Sequence, residues 1–249
     1  MDWVEHFARN RAERIYIPWE LGVHVPPHLR SALANSLQRF QIGESGDGAH
    51  LRKVAARTGN RQYAMAVEAF IREEQEHAAI MAGVLRCLDA PLLEHHWSNG
   101  CFRLLCLVSG LRTELLVLLV AELVAKRYFR LLLESTSDPV VGAMCRQILH
   151  DEDGHIAFHC HALRPSLLRL PVPVRWALRA AWRAFFGAAC LLVTYDHRAL
   201  LRATGCHSAS FHRECLALFD TVASQVFASE TRLRKASGST RRRRKELYR

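Results

Sequence analysis

Apolar residues recur every three to four positions along most of the chain, and no stretch keeps the two-residue alternation of a half-buried strand. Glycine and proline fall between the periodic stretches, which predicts long helices joined by short connections. The first 25 residues read as a leading helix and an extended arm through Ile17-Pro18-Trp19. The first long helix runs from Pro26 to about Thr58 and contains Gly43, Gly46 and Gly48. Each glycine costs roughly 1 kcal/mol against alanine inside a helix, so the three mark a local defect or room for a bulky neighbour. Gly59-Asn60 interrupts the pattern, and Asn60 is the N-cap of a second helix that ends near Asp89, before Pro91. A third covers about Cys101 to Leu133. Ser135-Thr136-Ser137-Asp138-Pro139 is a restart signal, with Asp138 as N-cap and Pro139 at the first helical position. The fourth helix then runs to about Leu163, before Pro165, and two more follow, from about Val174 to Arg202 and from Ser208 to about Leu233.

Four helices of near-equal length with short connections predict an all-α fold, an antiparallel four-helix bundle over about 26–163. The two additional C-terminal helices, about 174–233, would pack outside it or across one end. The chain reads as one helical domain over 1–235 and a basic tail over 236–249.

Composition changes this picture little. Half of the 249 residues are apolar, enough for one sizeable core. The net charge of +10 resembles a nucleic-acid signal, but Arg232, Arg234, Lys235, Arg241 to Lys245 and Arg249 carry most of it, against Glu246 alone. The body is nearly neutral, which predicts a disordered, solvated tail and no specific nucleic-acid partner. Eight cysteines without a C-x-x-C, Cys101 and Cys106 being the closest pair, read as reduced thiols in a cytoplasmic protein. No transmembrane segment is expected: Arg112, Glu114 and Glu122 interrupt the apolar run Leu104 to Val124, and Phe185 to Val193 is too short.

Polar residues inside the apolar stripes carry the chemistry. The second helix contains Glu74-x-x-His77 and the fourth Glu152-x-x-His155, each pair on one helix face and able to offer a carboxylate and an imidazole to one metal. With 16 glutamates and 14 histidines in 249 residues, chance supplies about one such pair, so two alone mean little. The wider spacing means more. Glu44 lies 30 residues before Glu74, and Glu122 lies 30 residues before Glu152, so each hairpin brings its two glutamates to similar depth. On the second helix the stripe Tyr63, Val67, Phe70, Glu74, His77, Met81 continues straight through the site, and Glu122 stands among eight aliphatic residues. A buried carboxylate without a partner costs several kcal/mol, and divalent metals would neutralise four of them.

One glutamate from each of two helices and an E-x-x-H from each of the other two resembles the ferritin-like di-iron carboxylate superfamily, over about Pro26 to Leu163. The resemblance implies a ferritin-like bundle with Glu44, Glu74 and His77 on one iron, Glu122, Glu152 and His155 on the other, and Glu74 and Glu152 as bridges. Glu73-Glu74 and Asp151-Glu152 are similar to the paired acids of this superfamily, which implies that Asp151 binds His77 and Glu73 binds His155. The first 30-residue spacing is similar to demethoxyubiquinone hydroxylases. Asp151-Glu152-x-x-His155 is similar to acyl-carrier-protein desaturases and arylamine N-oxygenases, although Ile148 stands where the latter have an extra histidine. His159, one turn after His155, is a candidate seventh ligand or a packing histidine, whereas His150 points elsewhere. Glu114 rivals Glu122 as the third helix's ligand; eight residues apart, only one can face the metals, and the spacing favours Glu122. Tyr63 is a core residue or a redox-active tyrosine, and Glu20 a surface charge.

By this resemblance the expected cofactors are two Fe, with Mn/Fe accommodated by the same ligands, and O2 is a co-substrate. The activity implied is an oxygenase that hydroxylates, N-oxygenates or desaturates a lipophilic or aromatic small molecule beneath a roof of the two C-terminal helices. No flavin or ferredoxin signature appears, so a separate reductase would supply electrons; a homodimer is left open. The alternatives are iron oxidation or peroxide reduction in the ferritin and rubrerythrin manner, and a metal-free helical scaffold whose tail docks a partner.

Overall fold

Local capping signals explain where the helices begin. Asp2 accepts the backbone N–H groups of Val4 and Glu5 and starts α1 (Trp3–Ala12). The extended arm that follows closes with a short 3-10 turn at Trp19–Leu21. Next come α2 (Pro27–Glu44), α3 (Ala49–Ala56) and α4 (Arg61–Cys87), the last begun by Asn60, whose side chain accepts from Tyr63 N. α5 is Leu111–Ser135 and α6 is Pro139–Leu168; Asp138 caps α6 through Val141 N and also accepts His24 N, pinning the arm to the helix start. The chain continues through α7 (Val172–Asp196), α8 (Arg198–Ala203) and α9 (Ser208–Phe227). This computed structural model describes residues 1–97, 100 and 110–227, and among them there is no strand.

The all-α prediction therefore holds. α2 packs on α4, α5 on α6, and α4 on α6. The Arg30–Asp89 ion pair joins the start of α2 to the end of α4, so these two run antiparallel. The three residues Thr136 to Asp138 turn α6 back along α5. One contiguous apolar core extends from Ile17 to Val226, and a smaller cluster around Phe7, Phe70 and Phe158 lies where α1 and α3 cover α4. α7 docks through Trp182, which donates to the Leu116 carbonyl of α5, and through Phe186 stacked on Phe219 of α9.

Several boundaries differ from expectation. The first long helix is two, α2 and α3, broken after Glu44. Gly48 sits at φ +64°, and a Cβ there would come within 2.6 Å of the Ile71 side chain, so the glycines mark a defect that lets the loop press on α4. The fourth helix passes through Pro165 and ends at Leu168. Pro165 removes the donor for the His161 carbonyl, but His161 is exposed and water can serve it. The fifth predicted helix begins at Val172 and divides into α7 and α8 at His197. α5 begins at Leu111; the predicted turns from Cys101, the Cys101/Cys106 pair, the end of the last helix and the 236–249 tail lie outside the described residues.

Candidate metal centre

Three residues apart on α4 and on α6, Glu74/His77 and Glu152/His155 point into the same space between the helices. One ligand atom from each of the four lies within 4.8 Å of all the others, a grouping that could hold a metal ion. His77, Glu152 and His155 are buried, and Glu74 is nearly so. Glu122 reaches the group from α5, with its carboxylate 3.5 Å from His155 Nδ1 and 3.5 Å from His159 Nε2. Glu44 interacts with Glu74 from the last position of α2, at a helix end rather than in mid-helix as expected. All six candidate ligands thus converge, with His159 at their edge.

The two imidazoles are oriented by carboxylates behind them. His77 Nε2 donates to Asp151 Oδ2 at 3.0 Å, and His155 Nε2 donates to Glu73 Oε2 at 2.9 Å. Each helix therefore supplies the acceptor for the other helix's histidine, the crossed pairing that the resemblance implied. Fixing Nε2 as donor leaves Nδ1 of both rings turned to the cluster. Glu74 Oε1 stands 2.9 Å from His155 Nδ1, yet neither is aligned for a hydrogen bond. His77 Nδ1, Glu152 Oε2 and both nitrogens of His159 are likewise buried without hydrogen-bond partners. Buried polar atoms are normally satisfied, and such convergent lone pairs fit a shared cation.

Electrostatics agree with this fit. Burial, then the charges of Glu74 and Glu122, pushes Glu44 well above the usual carboxylate range. Burial and Glu122 do the same to Glu152. Burial opposes ionisation of Glu122 too, but its close contacts with Glu152, His155 and His159 hold it well below its ordinary value. Burial works against a charged His155, but the charge of Glu74, the nearness of Glu122 and the hydrogen bond to Glu73 raise it well above its ordinary value. Protons on Glu44, Glu152 and His155 thus carry the charge that a divalent cation would replace.

Other candidates fall elsewhere. Glu114 is buried but pairs with His50 Nδ1 of α3 at 3.0 Å, so of the two glutamates on α5 it is Glu122 that reaches the cluster. His150 is more than half exposed, and Glu20 takes the Tyr16 hydroxyl at the surface. The Tyr63 hydroxyl is buried without a hydrogen-bond partner, and burial, then the charge of Glu114, raises its pKa. The sequence reading missed the support from the N-terminal arm. Arg14 Nη1 donates to Asp151 Oδ2 at 2.7 Å, and Gln147 donates to both oxygens of Asp151 while accepting Ile15 N. Gln147 could have been found as the residue one turn before Asp151; Arg14, on an arm 137 residues away, left no signal.

Aromatic rings close one side of the centre. Phe70 lies edge-on to His155 at 4.8 Å and to His159 at 4.7 Å, and Phe7 of α1 approaches His155 at 6.2 Å. Beyond them a cavity of about 500 Å³ is lined by Trp3, Tyr63, Ala66, Leu111, Phe158 and Pro165, among others. Phe158 forms the wall between the two, its ring 5.4 Å from His159. Trp3 and Val4 of α1 line one side of this cavity, and no described residue of the C-terminal helices lines it. Comparison with protein-family models, curated proteins and solved structures gives no significant match.

Proposed function

We propose that the protein is a di-iron oxygenase whose α2, α4, α5 and α6 form a ferritin-like bundle. In this reading Glu44, Glu74, His77, Glu122, Glu152 and His155 hold two irons, with His159 beside them. The observation that carries it is the buried convergence of Glu74, His77, Glu152 and His155, with each histidine's outer nitrogen tied to a carboxylate of the opposite helix. A mixed carboxylate and imidazole set suits Fe(II) and accommodates manganese in its place. The bound metals would supply dioxygen activation and oxidation of an organic substrate.

The chain's own residues do the rest. The environment favours ionisation of Glu74 and Glu122 and protonation of Glu44 and Glu152, so metal loading would compete with protons at the latter two. Asp151 and Glu73 accept from Nε2 of the two imidazoles and so turn both Nδ1 atoms toward the cluster. Phe70, Phe158 and Phe7 exclude water from the histidine side. Trp3, Tyr63, Phe158 and Pro165 give the cavity an aromatic side that suits a lipophilic or aromatic substrate, beside polar Asn60, Gln62 and His161. Electrons come from a separate reductase.

Metal analysis of protein expressed with iron, followed by anaerobic reduction and an oxygen pulse, tests the reading. About two irons per chain and oxygen uptake coupled to oxidation of an added aromatic substrate are expected. Oxygen uptake that only oxidises iron favours the ferritin-like alternative, and a chain that binds no metal overturns the proposal.

A further inference from the structure

The outward face of α7 carries no charge. A helix packed sideways on a protein normally turns polar residues to water. α7 packs inward through Trp182, Phe186, Cys190 and Thr194, all buried. Its opposite face presents Ala177, Ala180, Ala181, Ala184 and Ala188, all exposed. Large exposed side chains close both ends of this stripe, Trp176 (70% exposed) at one and Leu191 (61%) and Tyr195 (65%) at the other. Trp176 and Tyr195 are separated by about 28 Å along the axis. Single exposed apolar residues are unremarkable, but a continuous stripe of this length marks a docking surface.

α7 is long and apolar enough to cross a membrane, with a mean hydropathy of 1.3 over its most apolar window. Its inner stripe is committed to the protein, however, through the Phe186–Phe219 stack and the Arg183–Asp220 pair. Only its outer half is available, so it can lie along an apolar phase but not pass through one. Charge identifies that phase. Before Asp196 the helix has no acidic residue; Arg175 and Arg179 lie half-buried on its protein-facing side, Arg183 is held by Asp220, and exposed Arg169 and Arg198 stand beyond the ends of the stripe. Two antiparallel copies meeting through this face would bring Arg169 of one beside Arg198 of the other, whereas an anionic bilayer accepts both the stripe and the arginines at its ends.

We infer that α7 docks the protein in the plane of an anionic lipid surface, with the alanine stripe, Leu191 and Leu192 in the acyl boundary and Trp176 and Tyr195 at headgroup level. This inference stands independently of the metal centre. The full chain is sedimented with vesicles of phosphatidylcholine alone and of phosphatidylcholine with phosphatidylglycerol. Binding to the anionic vesicles is expected, and the double variant Leu191→Asp/Leu192→Asp should weaken it by about tenfold or more with an unchanged thermal melt. Trp176→Asp, at the other end of the stripe, should act in the same direction. Binding that survives both changes belongs to the arginine-rich C-terminal sequence and overturns the inference. Absence of binding overturns it as well, as does a dimer that the variants split without any vesicle binding, which would give the face to a second copy.

Discussion

His77 Nε2 and Asp151 Oδ2 meet at 3.0 Å across two helices, and that contact decides which nitrogen His77 turns to the cluster. Asp151 is fully buried, and Gln147 and Arg14 hold it as well. Burial opposes its charge, but hydrogen bonds from His77 and Gln147 and the charges of His77 and Arg14 hold its pKa well below the ordinary carboxylate range. Asp151→Asn keeps the shape and loses the charge that favours an Nε2–H donor. Iron affinity should fall about 10- to 100-fold, as measured by competition with a chelator.

Arg14 makes the N-terminal arm part of this arrangement. Its two guanidinium nitrogens reach Asp151 and Glu76, at 2.7 and 3.0 Å. Arg14→Ala leaves a buried carboxylate with one fewer charged donor and should destabilise the chain by about 1.5–3 kcal/mol. Urea unfolding in the presence of a chelator measures this without interference from bound metal.

The metal-free site should be a stability liability that a single atom change relieves. Burial and the charge of Glu122 raise Glu152 well above its ordinary value of 4.5, so above that value there is a pH range in which the folded chain holds a proton that the unfolded chain releases. The folded state then binds more protons, and stability falls as pH rises above about 4.5. Glu152→Gln keeps a donor toward Glu122 without that proton. In chelator it should be more stable than the parent at pH 7 by on the order of 1–3 kcal/mol, with the difference vanishing below the unfolded carboxylate range. With iron present the order should reverse, because the variant loses a ligand. A chain in which iron changes neither stability is the helical scaffold.

Much of this site was legible because its decisive relations are local or repeated. E-x-x-H pairs share a helix face by geometry alone, and the equal spacing Glu44–Glu74 and Glu122–Glu152 singled out Glu122, which lies beside His155, over the equally buried Glu114, which pairs with His50. Asn60 and Asp138 cap α4 and α6 as their neighbours in sequence require. What stayed hidden depends on tertiary contacts. Arg14 reaches Asp151 through an extended arm with no periodicity to read. The glycines after Glu44 signalled a break or a cavity, and only the approach of Gly48 to Ile71 decides between them. α1 lines one side of the cavity because Phe7 and Trp3 pack on Phe158, a pairing of residues some 150 positions apart that no local pattern encodes.

Acid sensitivity of the fold should come partly from a histidine outside the centre. His197, at the junction of α7 and α8, is nearly buried beside Phe40 and Tyr128. Its Nδ1 lies 2.6 Å from the Ser36 hydroxyl, which in turn lies 2.8 Å from the Tyr128 hydroxyl. Burial, then the charges of Arg39 and His96, lowers its pKa to about 3 from 6.5. Between those values the unfolded chain is protonated at this position and the folded chain is not. The unfolded state then binds more protons, so the contribution of His197 is fully present above about pH 6.5 and is lost as pH falls toward 3. His197→Gln keeps an acceptor for Ser36 and removes the titration. Its unfolding free energy, measured by urea titration in chelator, should fall less steeply than the parent's from pH 6.5 to 4, by a slope of about one proton. Equal slopes would mean that His197 is protonated in the folded chain and that the Ser36 contact runs from imidazole to hydroxyl.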